Sequence, residues 1–430
     1  MPSRRFLFVA LTLCLGLSLT GCAPAPETQA STDRALTAVA PETVGFSSEG
    51  LAGLSDGMQK LVDDGELSGI VTMVARHGQV VHFEAFGQQD IEESIPMATD
   101  SIFRIYSMTK PITGVAMMML FEQGKWALDD PVSMHIPEFE GLQVAVEDDN
   151  GNVTLEAADH PMTMRELMSH TGGLSYGGDD VAVDGMYRDA DILGSETTLQ
   201  QMVEDLGEIP LRFQPGQRWF YSLSVDVQGY IVEKLSGQPF AEFLQDNIFD
   251  ELGMVDTAFY VPEDKRDRFV EYYTYGENRE LIPATDSRGR VFLDPPSLPS
   301  GGGGLVSTAG DYMRFAQMVQ SGGELDGVRL ISPDSVELMR SNHLPENIGE
   351  MSPGTGFGLD YAITMDPERI ESLTGAGTFY WSGAAGTWFW NDPTFDVVFV
   401  GMIQQAGAGR PNMRAISTEL TYSALVDPGR

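Results

Sequence analysis

The chain has 430 residues, 42% of them hydrophobic, enough for a real core in one large domain or two ordinary ones. Lys and Arg number 26 against 63 Asp and Glu, a net charge of −37, which makes nucleic acid and anionic membrane surfaces poor partners. The six histidines show no His-x-x-x-His spacing and the two cysteines no Cys-x-x-Cys spacing, so no metal and no other cofactor is expected.

The front end is separable. Arg4 and Arg5 precede an apolar run from Phe6 to Leu19, too short to span a bilayer comfortably, and Leu19-Thr20-Gly21-Cys22 follows at its end. That tetrad resembles a bacterial lipobox, which implies a signal peptide over 1–21 and lipid on Cys22; an ordinary secretory signal is the alternative. Residues 22–43, rich in Ala, Pro, Thr and Glu, read as a flexible tether. Ala23 after the cysteine resembles outer-membrane sorting, so the expected location is the cell envelope, on the periplasmic face of the outer membrane. Cleavage would leave 24 basic against 63 acidic residues, −39 in all, and one cysteine, so no internal disulfide is possible. The acidic residues are spread along the chain as a solvated shell, a composition suited to saline media.

Downstream, Ser47 or Ser48 caps a helix reaching Lys60–Asp64, with Leu51, Leu54, Met58 and Leu61 on one face. Runs 70–76 and 79–86 predict a hairpin turning at His77-Gly78. A helix is expected from Ser107 to Glu122 and a short one over 164–169, ending at His170-Thr171-Gly172-Gly173. Helices also read at 197–206, 224–235 (closed by Gly237), 240–252, 309–321, 333–340 and 411–426. Segments 377–390 and 395–404 predict two adjacent strands. Gly301 to Gly304 are no phosphate cradle, since no Gly-Lys-Ser/Thr follows, and mark a close backbone approach. Strand-rich ends enclosing a helix-rich middle predict one α/β (α+β) domain over 44–430, with an α/β lobe from 44–106 and 300–430 and a helical lobe from 107–299.

Three constellations compete for the chemistry. In the first, Ser107 and Lys110 stand one helical turn apart on one face, where a desolvated lysine can take the serine's proton. Of the five lysines only Lys110 has a serine three residues upstream. Tyr221 can assist proton transfer beside such a pair. The plain reading is a capping serine, a snorkelling lysine and a core tyrosine. The second is Gly173-Leu174-Ser175-Tyr176-Gly177, whose Gly-x-Ser-x-Gly pattern needs a strand before the serine; here a helix-like stretch precedes it. The third, metal binding, finds no ligand spacing.

Ser107-Met108-Thr109-Lys110-Pro111, Pro215-Gly216-x-x-Trp219-x-Tyr221-Ser222 and Trp381-Ser382-Gly383-Ala384-Ala385-Gly386-Thr387 occur in the order seen in class C β-lactamase-like serine hydrolases. The chain most resembles their branch called family VIII carboxylesterases. Supporting matches are Leu167-Met168-Ser169-His170-Thr171-Gly172-Gly173-Leu174 and Gly303-Gly304-Leu305-x-Ser307-Thr308-x-x-Asp311, so the resemblance runs from about Gly45 to the C-terminus. It implies a β-lactamase/transpeptidase-like fold, a mainly antiparallel sheet flanked by helices plus a helical lobe, with the active site between. It implies Ser107 as acylated nucleophile, Lys110 as base, Tyr221 assisting, and backbone N–H groups of Ser107 and Ala384 as oxyanion hole. Trp381, Ser382 and Gly383 would bind substrate, and Ser175 becomes a loop residue.

Two departures bear on substrate. Leu223 stands where β-lactamases carry the Asn of Tyr-x-Asn, and Trp381 where they carry the Lys of Lys-Thr-Gly. Without that cation, and with the chain's acidity, neutral short to medium acyl esters are expected over anionic β-lactams, with an optimum at or above neutral pH. A β-lactamase, with weak activity at least, or a D-amino-acid peptidase or transesterase is the alternative. A non-catalytic envelope-binding protein on the same scaffold is the alternative of another class. Partners are then a small ester and, through the anchor, a membrane; the oligomeric state is not legible.

Overall fold

The computed structural model describes residues 38–148, 151–285 and 292–427, with the single residues Met1 and Gly429. The lipobox, Cys22 and the tether as far as residue 37 lie outside the described residues. Among the described residues no helix is long and apolar enough to cross a membrane.

The frame is an eight-stranded antiparallel sheet. Its strands are β1 (Gly69–Arg76), β2 (Gln79–Asp90), β3 (Ile95–Pro96), β4 (Thr355–Phe357), β5 (Ala362–Thr364), β6 (Phe379–Ser382), β7 (Trp388–Asp392) and β8 (Val397–Met402), in spatial order β4-β5-β6-β7-β8-β1-β2-β3. Chain ends far apart in sequence meet where β1 pairs with β8, Val71 opposite Met402 and Ala75 opposite Val398. The principal helices are α1 (Ser48–Asp63), α2 (Thr109–Glu122), α3 (Ser224–Ser236), α4 (Ala309–Gln320) and α5 (Met413–Ser423).

Both faces of the central strands are buried, and the period of two sorts their side chains. Val71, Met73, Val398, Val400 and Met402 join the core shared with α2 and α4. Ile70, Val74, Val397 and Phe399 join the core under α1 and α5. Ser47 caps α1, its hydroxyl accepting the Gly50 N–H at 3.2 Å, a contact worth about 1 kcal/mol. Gly50 and Gly57 let α1 and α5 close up: a Cβ at either would stand 2.5 Å from Ala424 Cα or Leu420 Cδ1. The fully buried Arg76 ties the domain ends, donating to the carbonyls of Val44, Phe395 and Asp427.

Several expectations shift. Residues 377–390 form a hairpin, β6 and β7, rather than one strand, because Gly383 and Gly386 turn the chain. A Cβ at Gly383 would stand 2.4 Å from the Ile105 carbonyl, and Gly386 has φ 95°. The helix expected over 240–252 carries a π turn at Gln245–Phe249. The pattern also missed a hairpin (Gln143–Glu147 with Val153–Ala157), the helix Ala182–Asp189, and β4 and β5.

Candidate active site

Ser107 does not open an α-helix. It sits inside a 3-10 turn, Tyr106–Met108, and α2 begins at Thr109. Tyr106 is held at φ 42°, a left-handed conformation uncommon for a bulky residue. Packing over-determines it: its buried ring lies 5.8 Å edge-on from Phe292 and 6.2 Å from Tyr272. The turn leaves Ser107 half-buried while Lys110 is sealed inside.

Lys110 Nζ donates to Ser107 Oγ at 3.3 Å, to Tyr176 Oη at 3.0 Å and to the Gly302 carbonyl at 2.6 Å. Tyr221 Oη donates to Ser107 Oγ at 2.7 Å, and the ammonium stands 4.6 Å from the Tyr221 ring centre. Tyr221, 114 residues beyond Ser107 in sequence, therefore meets Ser107 and Lys110 at one point. Trp381, at the end of β6, donates its indole N–H to Tyr221 Oη at 3.4 Å. Trp219 stacks on Tyr221, and His170 and Phe357 complete an aromatic wall around it. Ser382 and Ala384 are exposed at the mouth, in a turn closed by Gly383 N–H to Thr387 O and Gly386 N–H to Gly383 O. Thr387 Oγ1 donates to Ile105 O, tying this turn to the segment that carries Ser107.

Ser175 is spent elsewhere. Its hydroxyl donates to the buried Asp184 at 2.7 Å, and Arg212 pairs with that carboxylate at 2.6 Å. A helix, Met164–Met168, precedes it instead of a strand, so the nucleophile-elbow geometry is absent. Its neighbour Tyr176, passed over in the sequence, is the residue that reaches Lys110.

The sequence matches the Beta-lactamase family over residues 54–421. The chain belongs to that family. It is 36% identical over 404 residues to Protein Rv1367c of Mycobacterium tuberculosis, covering 87% of this chain and 99% of that one. It is 30% identical over 346 residues to Esterase EstB of Burkholderia gladioli, covering 75% and 82% respectively. The solved structure of EstCE1, described as a hydrolase with promiscuous acyltransferase activity, superposes with TM-score 0.74 at 28% identity, covering 87% of this chain and 99% of that one. The β-lactamase/transpeptidase-like fold expected from the motifs is thus present, and the protein is a β-lactamase-fold serine hydrolase with esterase relatives.

Within this Beta-lactamase family site, opposed influences act on the charge of Lys110. Burial pushes its ammonium toward the neutral amine, but the oxygens of Tyr176 and Tyr221 and the carboxylate of Asp226 outweigh it. Lys110 accordingly holds its proton more tightly than an ordinary lysine. Three oxygens, of Ser107, Tyr176 and the Gly302 backbone, stand within hydrogen-bond distance of Nζ, a setting that favours the charged form. The same cation, after burial, holds His170 below the usual imidazole range. His170 Nδ1 accepts the Ser222 N–H at 3.3 Å, and its ring packs 4.9 Å from Tyr221, as a support of the wall.

Asp360, in the turn between β4 and β5, is a second buried acid. Gln228 donates to its Oδ1 at 3.1 Å, while Oδ2 is buried without a partner. Burial pushes its carboxyl up to about 8, against the Gln228 hydrogen bond and the Lys110 charge. A folded value above the unfolded one means that the native state binds the extra proton, so this group removes stability as pH climbs from about 4 to about 8. Asp360→Asn, neutral at every pH and at ease with φ 66°, should melt above the parent at pH 9. Thermal unfolding across pH should show that gap closing toward pH 4.

Proposed function

We propose that this protein is a serine carboxylesterase that hydrolyses short to medium acyl esters through an acyl-enzyme on Ser107. The observation that carries the reading is the 2.7 Å contact of Tyr221 Oη with Ser107 Oγ beside a sealed lysine. At rest the Tyr221 hydroxyl donates to Ser107 beside a charged Lys110; in the reactive form the pair has given up one proton, so that Tyr221 Oη can accept. As Ser107 Oγ bonds to the ester carbonyl carbon, its proton passes to Tyr221 Oη, and the Lys110 cation stabilises the charge in transit. The carbonyl oxygen takes up negative charge toward the N–H groups of Ser107 and Ala384. As the C–O bond to the alcohol breaks, Tyr221 returns the proton to the leaving oxygen. Water then repeats the sequence: it gives a proton to Tyr221 as it attacks the acyl carbon, and Tyr221 passes that proton to Ser107 Oγ as the acyl C–Oγ bond breaks.

Substrate polarity is read from a cavity near the segment that carries the serine. A cavity of about 310 Å³ lies behind Ser300 and Gly304, walled by Leu193, Phe259, Phe292 and Leu298, with Glu196 and Asp294 at its rim. Phe292 also packs on Tyr106, one residue from Ser107. Such walls suit an uncharged acyl chain, and the acidic rim repels a carboxylate. Leu298→Trp should cut activity on nitrophenyl octanoate at least about tenfold and spare the acetate ester, read as the ratio of kcat/KM values.

A second reading, hydrolysis of β-lactams or D-amino-acid peptides, draws on one observation. Arg410 and Arg414 line a cavity of about 420 Å³ beside Trp381 and Ser382, so the margin is not without cations although Trp381 replaces a lysine. Purified enzyme assayed on nitrophenyl butyrate, nitrocefin and a D-Ala-D-Ala peptide separates the readings; turnover of the peptide alone would displace the esterase. A fluorophosphonate that fails to label Ser107 would leave only the non-catalytic envelope-binding reading. The lipid anchor at Cys22 and an envelope location rest on the lipobox and stay part of this proposal.

A further inference from the structure

Beneath the serine site lies a buried carboxylate with no cation in direct contact among the described residues. Asp226 is fully buried in the first turn of α3, where the helix N-terminus favours negative charge. Its Oδ1 accepts the Ser300 hydroxyl at 2.5 Å and the Gly302 N–H at 3.1 Å, while Oδ2 is buried without a hydrogen-bond partner. The other end of the same glycine receives Lys110: the Gly302 carbonyl accepts Nζ at 2.6 Å. A Cβ at Gly302 would stand 2.4 Å from Asp226 Oδ2 and 3.0 Å from Tyr176 Oη. The bare glycine thus lets carboxylate, backbone and phenol close around one point. Leaving a carboxylate oxygen unpaired in a dry interior is costly unless a nearby charge compensates it.

We propose that Asp226 is the buried counter-charge of this site, a positioning residue that fixes Lys110 as a cation through the Gly302 backbone. The inference rests on the Ser107 acylation proposed above. Asp226 touches neither substrate nor the reacting oxygen; it sets the charge of the group that does. The other titratable groups facing Lys110 are Tyr176 and Tyr221, His170 under the aromatic wall, and Asp360 from the turn between β4 and β5. Asp226 differs from these in reaching Lys110 through the backbone, bonded to the Gly302 N–H while the Gly302 carbonyl accepts from Nζ.

The test is the pH dependence of fluorophosphonate labelling at Ser107, followed by intact mass. Removing a nearby negative charge disfavours every protonated state of the Lys110–Tyr221 pair. In Asp226→Asn both limbs of the profile should therefore move to lower pH by about one unit. A merely structural role would reduce the amplitude and leave the limbs in place, so a folded Asp226→Asn with unmoved limbs overturns the proposal. If that variant does not fold, Ser300→Ala decides. It strips one donor from the carboxylate, concentrates its charge and should move both limbs to higher pH; no movement overturns the proposal. A parent enzyme that takes no label at any pH is a different failure, since it removes the acylation reading itself.

Discussion

Replacing Ser107 by alanine should reduce hydrolysis of nitrophenyl butyrate by at least about a thousandfold, to the level of buffer, and abolish fluorophosphonate labelling. The hydroxyl is the one nucleophilic oxygen within reach of both Tyr221 and Lys110 in the described residues, and alanine leaves the surrounding contacts in place. The contrasting variant is Ser175→Ala. It should keep activity in the same assay and lose stability by about 1–3 kcal/mol, because it leaves Asp184 Oδ1 without a buried donor. An active Ser107→Ala with an inactive, folded Ser175→Ala would move the chemistry to the other serine.

Tyr221→Phe should lower kcat by about 10²- to 10⁴-fold with little change in KM. The ring, which packs with Trp219 and Trp381, remains, so substrate still meets the same wall. Only the oxygen that receives and returns the proton is lost, and it matters in the transition state rather than in binding. The pH profile should also flatten, since the pair with Lys110 is broken. Rapid turnover by Tyr221→Phe with an unchanged profile would send the proton elsewhere, with Tyr176, 3.0 Å from Lys110, as the next candidate.

Much of the site is legible before any coordinates. Ser107, Lys110, Tyr221 and Trp381 stand out by spacing and by resemblance, and they converge. The helices at α1 and α3 and the β1–β2 hairpin follow from caps, stops and periodicity, because each carries its own local signal: Ser47, Gly237, and the turn at His77-Gly78. The strands β4 and β5 carry none. Three residues each hold no period, and only pairing into the sheet makes them strands. Tyr176 was hidden by its neighbour, as the Gly-x-Ser-x-Gly pattern drew attention to Ser175. The surroundings of Lys110 are only half legible. Burial is foreseeable from an apolar helix, but the Gly302 carbonyl and the Asp226 carboxylate arrive from segments distant in sequence, and no local pattern announces them.

The stretch Ser300–Gly304 touches two things at once. One side forms a wall of the apolar cavity, and the other holds the lysine amine and the aspartate. An acyl chain seated in that cavity would lie against the same backbone that accepts from Lys110. Fit can then surface as speed instead of tighter grip, and a poorly seated ester would be held nearly as well yet turned over slowly.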